Sequence, residues 1–360
     1  GLGDWWPDET KFPEGLSDLV AHVNAQGMEF GLWFEGEMVN ADSDLYRAHP
    51  DWILHSADRV PPEFRQQQVL DLTHPGAYQH VFNQVNQLLT ELNIAYIKWD
   101  HNRVLTEASH LGAAAVHEQT LAIYRMFDEL KANHPGLEIE SCASGGARID
   151  LGMVEHADRF WTSDNNDALE RQSIQRFTSI VIPPEMLGTH IGPTKAHSTG
   201  RTLSLSFRAT TALFGHAGLE WDLTETTEDE RSLLKQWTDY YKANRELLHS
   251  GRVVRVEQSE DASWVHGVVA QDQSRAIFAL VQLQPSAFSR PPNLRLIGLD
   301  ANQNYRVRAV YPAGPPTSMQ IKPPKWLDGV VINGALLAAV GLKAPILQPQ
   351  QALLIEAERI

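Results

Sequence analysis

Over its first 249 residues the chain alternates strand-length apolar runs with segments of helical period, and this alternation confines it to a parallel α/β arrangement. Strands are expected at 28–35, 95–100, 138–143, 159–164, 179–187 and 218–223. Between them the 3.6-residue period predicts helices at 13–26, ended by Gly27, and at 75–92, opened by Pro75. Further helices are expected at 111–133, closed by Pro135-Gly136, and at 167–178, 203–214 and 227–249. Beyond Ser250 the texture changes. Segments 252–256, 264–270, 276–282, 305–311 and 352–356 alternate apolar and polar residues, with Pro and Gly clusters between them, which reads as an antiparallel β domain. The expected organisation is a catalytic α/β domain at 1–249 and an antiparallel β-sandwich at 250–360, with no internal repeat and no low-complexity linker.

Two of the strand-like runs end abruptly in an aspartate: Tyr96-Ile97-Lys98-Trp99-Asp100-His101-Asn102-Arg103 and Trp161-Thr162-Ser163-Asp164-Asn165-Asn166-Asp167. An isolated aspartate in such a place most often caps the next helix. Two carboxylates presented at two strand ends are also what a retaining glycosidase needs, one to attack the anomeric carbon and one to protonate the leaving oxygen and then activate water. Side chains alternate along a strand, so Lys98 and Asp100 point the same way with Tyr96 below them. A neighbouring lysine favours the ionised carboxylate, which suits Asp100 to the nucleophile's role. Asp164 has Trp161, Asn165 and Asn166 as near neighbours and no adjacent cation. An apolar wall raises a carboxylic acid's pKa, which suits Asp164 to the acid/base role.

Longer motifs carry a resemblance. Phe30-Gly31-Leu32-Trp33-Phe34-Glu35-Gly36-Glu37-Met38-Val39-Asn40 is followed by Ser43 to Trp52, Lys98-Trp99-Asp100, Glu140-Ser141-Cys142-Ala143-Ser144-Gly145-Gly146 and Trp161-Thr162-Ser163-Asp164-Asn165. In order and spacing this resembles the bacterial α-galactosidases of glycoside hydrolase family 36, from residue 1 to about 250 and more weakly to the end. The resemblance implies a (β/α)8 TIM-type barrel followed by the C-terminal antiparallel β domain, and a double displacement that retains the α configuration. It implies no metal and no organic cofactor. It makes Asp100 the nucleophile and Asp164 the acid/base, as the neighbouring residues do independently. It also places Trp33 and Trp161 in the sugar site, has Arg65 reach a sugar hydroxyl, and packs Cys142 against the sugar. Lys98 and Asn102 would donate to hydroxyls, and the tight turn at Ser144, Gly145 and Gly146 lets backbone approach a ligand closely. His197 to Arg201 matches the family's loop after the seventh strand. Six βα units are readable where a closed barrel has eight, so the first two are expected to be missing. The chain opens on Gly1-Leu2-Gly3-Asp4-Trp5-Trp6, without the family's Asp-Asp-Gly-Trp motif or N-terminal β-sandwich, and is expected to be the C-terminal part of a longer protein.

Other chemistries fit less well. The net charge of −15 argues against nucleic acid or anionic membrane as a partner. No apolar run approaches the roughly 20 residues of a membrane helix. Cys142 is the only cysteine, which excludes an intrachain disulfide and favours a cytoplasmic protein, and it has no evident Lys or His partner that would make it a nucleophile. The fifteen histidines form no zinc pattern, and the turn at Gly145 lacks the phosphate-loop spacing. Glu35 and Glu37 are a rival carboxylate pair, but two residues apart on one strand they would stand about 7 Å apart on the same side of a substrate. They are expected to orient neighbours instead. Gly36, where relatives have Pro, is expected to loosen that loop. The expected reaction is hydrolysis of terminal α-1,6-linked galactose, as in melibiose or raffinose, with carboxyl groups about 5–5.5 Å apart. α-N-acetylgalactosaminidase activity, galactosyl transfer and a catalytically silent fragment remain open. A homo-oligomer is the expected state of the full-length protein.

Overall fold

The computed structural model describes residues 1–59, 61 and 63–360. They form two compact units, Gly1–Asp164 and Asn165–Ile360.

In the first unit four parallel strands lie side by side in chain order: Phe30–Phe34, Ile94–Trp99, Glu138–Ser141 and Arg159–Trp161. Phe34 pairs with Trp99, Trp99 with Ser141 and Ser141 with Phe160, so the strands end level with one another. One face is hydrocarbon. Ile97, Trp99, Ile139 and Phe160 are fully buried. Trp99 meets Phe127 edge-on with ring centroids 5.5 Å apart. Phe127 belongs to helix Val116–Asn133, whose buried Ile123, Met126, Phe127 and Leu130 recur at helical spacing. Helix Pro75–Glu91 buries Val81, Val85 and Leu89 in the same way. It starts on Pro75, and the His74 imidazole accepts from the amides of Gly76 and Ala77.

The second unit holds a parallel pair, Leu187–Ile191 and His216–Leu219, with helices Ala168–Thr178, Leu205–Ala212 and Glu228–Ser250. The last of these opens on a capping box between Thr227 and Glu230. An antiparallel sheet follows, ordered Arg252–Val256, Ser263–Val269, Arg275–Gln282, Gln351–Arg359, Asn304–Val310 and Val330–Asn333. Its central strand Arg275–Gln282 is buried from Ala276 to Gln282, and Phe278, Tyr305, Val307 and Ile355 are fully buried. The parallel strands with their helices are βα units of a partial barrel, and the antiparallel sheet is the C-terminal β domain.

Several expected elements move. The strand expected at 179–187 is instead Leu187–Ile191. Ser179 caps the preceding helix, Ile180 and Val181 are exposed, and Pro183-Pro184 start a 3₁₀ turn at Pro184–Met186, so prolines displaced an apolar run from the ladder. The helix expected from 111 starts at Val116, because 109–114 form a small hairpin, and the helix expected from 13 starts at Ser17. The strand expected at 218–223 is His216–Leu219, since Asp222 caps a following 3₁₀ turn. Strand Val330–Asn333 and the antiparallel pairing of Met38–Asn40 with Gln67–Val69 were not expected. Gly36 does not loosen its loop. A Cβ there would meet the Trp99 ring at 2.4 Å and Val81 at 2.9 Å. Gly36→Ala is therefore expected to cost about 1–3 kcal/mol by overpacking, read from the midpoint of urea unfolding.

Candidate active site

The parallel ladder runs one residue past the strands. The Asp100 amide donates to the Phe34 carbonyl and the Cys142 amide to the Trp99 carbonyl, each at 2.8 Å. Asp100 and Cys142 are thereby fixed as rigidly as strand residues, on the face opposite Trp99. Both are buried.

Asn102 Nδ2 donates to Asp100 Oδ2 at 2.7 Å, Trp33 Nε1 donates to the same oxygen at 3.2 Å, and the His101 amide donates to Oδ1 at 2.8 Å. The Cys142 thiol donates as well. Burial pushes the Asp100 carboxyl up, yet these donors outweigh it and hold the group below its ordinary value. The cause differs from the expected one. Lys98 is turned to Glu140, its register partner on the next strand, with Nζ to Oε1 at 2.6 Å. Glu140 also accepts from the Tyr96 hydroxyl at 2.5 Å. Hydrogen bonds, not the lysine's charge, are what outweigh burial at Asp100. For Cys142, burial comes first, the charge of Lys98 opposes it, and the charge and hydrogen bond of Asp100 add to it, so the thiol is pushed up to about 12.

Asp164 is exposed and accepts from Trp161 Nε1 at 2.9 Å. Its aromatic neighbour thus meets it through a polar N–H edge, where an apolar wall was expected. The Lys98 ammonium sits 4.3 Å from the centroid of the Trp161 ring. A second line of contacts joins the two aspartates. Ser144 Oγ donates to Asn102 Oδ1 at 3.3 Å, and the adjoining Gly145, at φ +84°, lies against the chain that carries Asp164. A Cβ on Gly145 would stand 2.8 Å from Ser163 Cα and 2.9 Å from the Asp164 nitrogen, so glycine is required by the approach of protein backbone.

The rival carboxylates have structural partners. Glu35 Oε1 accepts the Asn102 amide at 2.8 Å and Oε2 accepts from Gln67 Nε2 at 3.2 Å, which fixes the residue that fixes Asp100. Burial, then opposed by the Asn102 amide and reinforced by the charge of Asp100, leaves Glu35 raised. Glu37 accepts from Trp99 Nε1 at 3.0 Å and Arg148 Nη1 at 2.7 Å, with His101 Nδ1 at 3.2 Å. Burial pushes Glu37 up, but the charges and hydrogen bonds of Arg148 and His101 prevail and hold it at about 2. The sequence assigned no role to Glu140 or Arg148. Glu140 was visible as an acid inside an apolar strand, in phase with Cys142, whereas nothing local marks Arg148, which lies 111 residues from Glu37.

Arg65 is exposed in a tight turn at φ +56°, and its positive charge acts on Glu35. Of the loop read at 60–64, Val60 and Pro62 lie outside the described residues. In the second unit the loop at 197–201 is tied down by Ser198 Oγ to Asn165 Oδ1 at 2.6 Å and by Thr199 and Arg201 to Asp167 Oδ2, each at 2.5 Å. Among the described residues no group of three or more His, Cys, Asp or Glu side chains is placed to hold a metal ion, and no helix is long and apolar enough to cross a membrane.

Comparison with known proteins shows the family. Residues 1–251 match the Melibiase family, and residues 262–356 match the glycosyl hydrolase family 36 C-terminal domain. The chain belongs to the melibiase family, glycoside hydrolase family 36. This melibiase-family chain is 43% identical to an α-galactosidase of Escherichia coli over 99% of its own length and 51% of that protein's. It is 38% identical to α-galactosidase AgaA of Geobacillus stearothermophilus, over 86% of its length and 43% of the relative's. It spans about half the length of these curated relatives. Among solved structures, a variant of AgaA in complex with raffinose superposes on the whole chain with a TM-score of 0.90 at 33% identity, covering 49% of that protein. The α-galactosidase of Lactobacillus brevis does so with a TM-score of 0.90 at 34% identity, covering 48%.

The pairing at Glu37 gives a stability prediction. A folded value of about 2 against an ordinary 4.5 means that its contribution is full above pH 4.5 and is lost as the pH falls through 2. Glu37→Gln is expected to cost about 3 kcal/mol near pH 7 and progressively less towards pH 2, measured as denaturant unfolding across that range.

Proposed function

We propose that the protein carrying this chain is a retaining α-galactosidase that removes terminal α-1,6-linked galactose from oligosaccharides such as melibiose and raffinose. The observation that carries the reading is the contrast between two strand-end carboxylates of one unit. Asp100 is buried and held ionised by four donors, whereas Asp164 is exposed beside an indole N–H. The raffinose complex of the similar AgaA structure supports the substrate class.

In the proposed reaction an Asp100 oxygen attacks the anomeric carbon as Asp164 gives its proton to the departing glycosidic oxygen. The C–O bond to the leaving group breaks and a β-galactosyl ester of Asp100 forms. Asp164 then takes a proton from water, the resulting hydroxide attacks the same carbon, and the ester bond breaks to restore the Asp100 carboxylate. Two inversions retain the α configuration. Asn102 and Trp33 orient the nucleophile, and Glu35, through the Asn102 amide, positions Asn102. Lys98, Trp161, Ser144, Gly145 and Arg65 complete the assigned binding set, with Cys142 acting through its hydrogen bond to Asp100.

The same reading divides the chain into a catalytic part at 1–249 and a β-sandwich at 250–360. It also assigns a homo-oligomer on the family likeness and a cytoplasmic location on the single Cys142. Size-exclusion chromatography with light scattering checks the oligomer.

Asp100→Ala in the full-length protein is expected to lower kcat on 4-nitrophenyl α-galactoside by more than about a thousandfold at unchanged fold. Retention of activity would overturn the assignment. Asn102→Ala removes a donor that favours ionised Asp100, so the carboxyl rises towards its ordinary value. The acidic limb of the kcat/KM profile should then move to higher pH.

A further inference from the structure

The second unit contains a small recess of about 60 Å³, open in part to solvent, that shares no residue with the candidate active site. Its wall holds two arginines, a histidine and a tryptophan, and no carboxylate. Arg176 stands in the last turn of helix Ala168–Thr178, with its guanidinium carbon 4.6 Å from the centroid of the Trp264 ring. Arg255 is on strand Arg252–Val256, and its Nη2 donates to Ser179 O at 3.0 Å and to Ser179 Oγ at 2.7 Å. Each guanidinium is thus held at one edge or face. Among the described residues, neither has a carboxylate within ion-pair distance.

The charges feel one another. Burial lowers Arg176 and the positive charge of Arg255 lowers it further. His266, edge-on to Phe214 at 4.5 Å, is pushed down to about 4 by burial and then by both arginines, so its ring is neutral at neutral pH. Two like charges gathered in one partly buried recess are unfavourable without an opposite charge. Part of this arrangement suits the fold, since a cation at a helix C-terminus opposes the dipole and Arg255 satisfies a terminal carbonyl. Neither role calls for the second arginine or for a cavity.

We propose that this recess binds a small phosphate-bearing anion, with Arg176 and Arg255 as its charge partners and Trp264 as the wall beside it. A phosphate carries between one and two negative charges at neutral pH and offers several acceptor oxygens, which matches two guanidiniums. A carboxylate would balance only one of them. The occupant is either inorganic phosphate or a phosphate monoester, because both present the same group.

The test is calorimetric titration of the full-length protein with inorganic phosphate, glycerol 2-phosphate and acetate, each at matched ionic strength in chloride. Saturable binding of one or both phosphates, with acetate at least tenfold weaker, is the expected result. A tighter monoester identifies an organic phosphate as the occupant, and the reverse identifies the free ion. Arg176→Gln, which leaves the Ser179 contacts intact, should weaken phosphate binding at least tenfold, and Arg255→Gln should do the same if its melting curve shows a folded protein. Phosphate binding no stronger than acetate, or unchanged in Arg176→Gln, overturns the proposal.

Discussion

The backbone ladder that continues past the strand ends is the constraint on which the candidate site depends. A loop aspartate could sample many positions, whereas the amides of Asp100 and Cys142 are committed to the preceding strands' carbonyls. That commitment sets where both side chains project. It also places Asn102 two residues later within reach of Asp100 and places the Asn102 amide against Glu35. The donors that keep Asp100 ionised come from three strand ends and their extensions, so the electrostatics at this carboxylate depend on sheet register before they depend on any single substitution.

Burial and charge are reconciled by hydrogen bonds at short range. Below Asp100 the same face carries Lys98, Glu140 and Tyr96, a polar set whose members satisfy one another. The opposite face carries Ile97 and Trp99, packed in hydrocarbon. Trp99 bridges the two regimes. Its ring packs against Phe127 and its N–H donates to Glu37, so the hydrophobic layer is pinned to the network that also holds Arg148 and His101.

Much of this was legible from the chain. Alternation along Tyr96-Ile97-Lys98-Trp99-Asp100 placed Lys98 and Asp100 on one side, and the long helices announced themselves through their period, with Pro75 marking one start. What escaped was information carried across the sheet. Lys98 was read as the partner of Asp100 because it is near in sequence, but parallel register brings Glu140 opposite it, and an ion pair at 2.6 Å directs the ammonium there. Gly145 was read as letting backbone approach a ligand, and the close contact it makes with the chain that bears Asp164 was not legible beforehand. Ile180 and Val181 looked like strand because apolar runs usually are. Two prolines after them removed the donors a ladder needs, and the strand formed beyond.

Cys142 shows how far surroundings can change a residue's chemistry. A thiol near 12 is ionised to only about one part in 10⁵ at neutral pH, and it is the thiolate that reacts with oxidants, electrophiles and soft metals. At 1% exposure it also offers such reagents almost no surface. This sulfhydryl therefore behaves as a hydroxyl-like donor to a carboxylate, and Cys142 itself should be indifferent to alkylating agents and to the redox state of its surroundings.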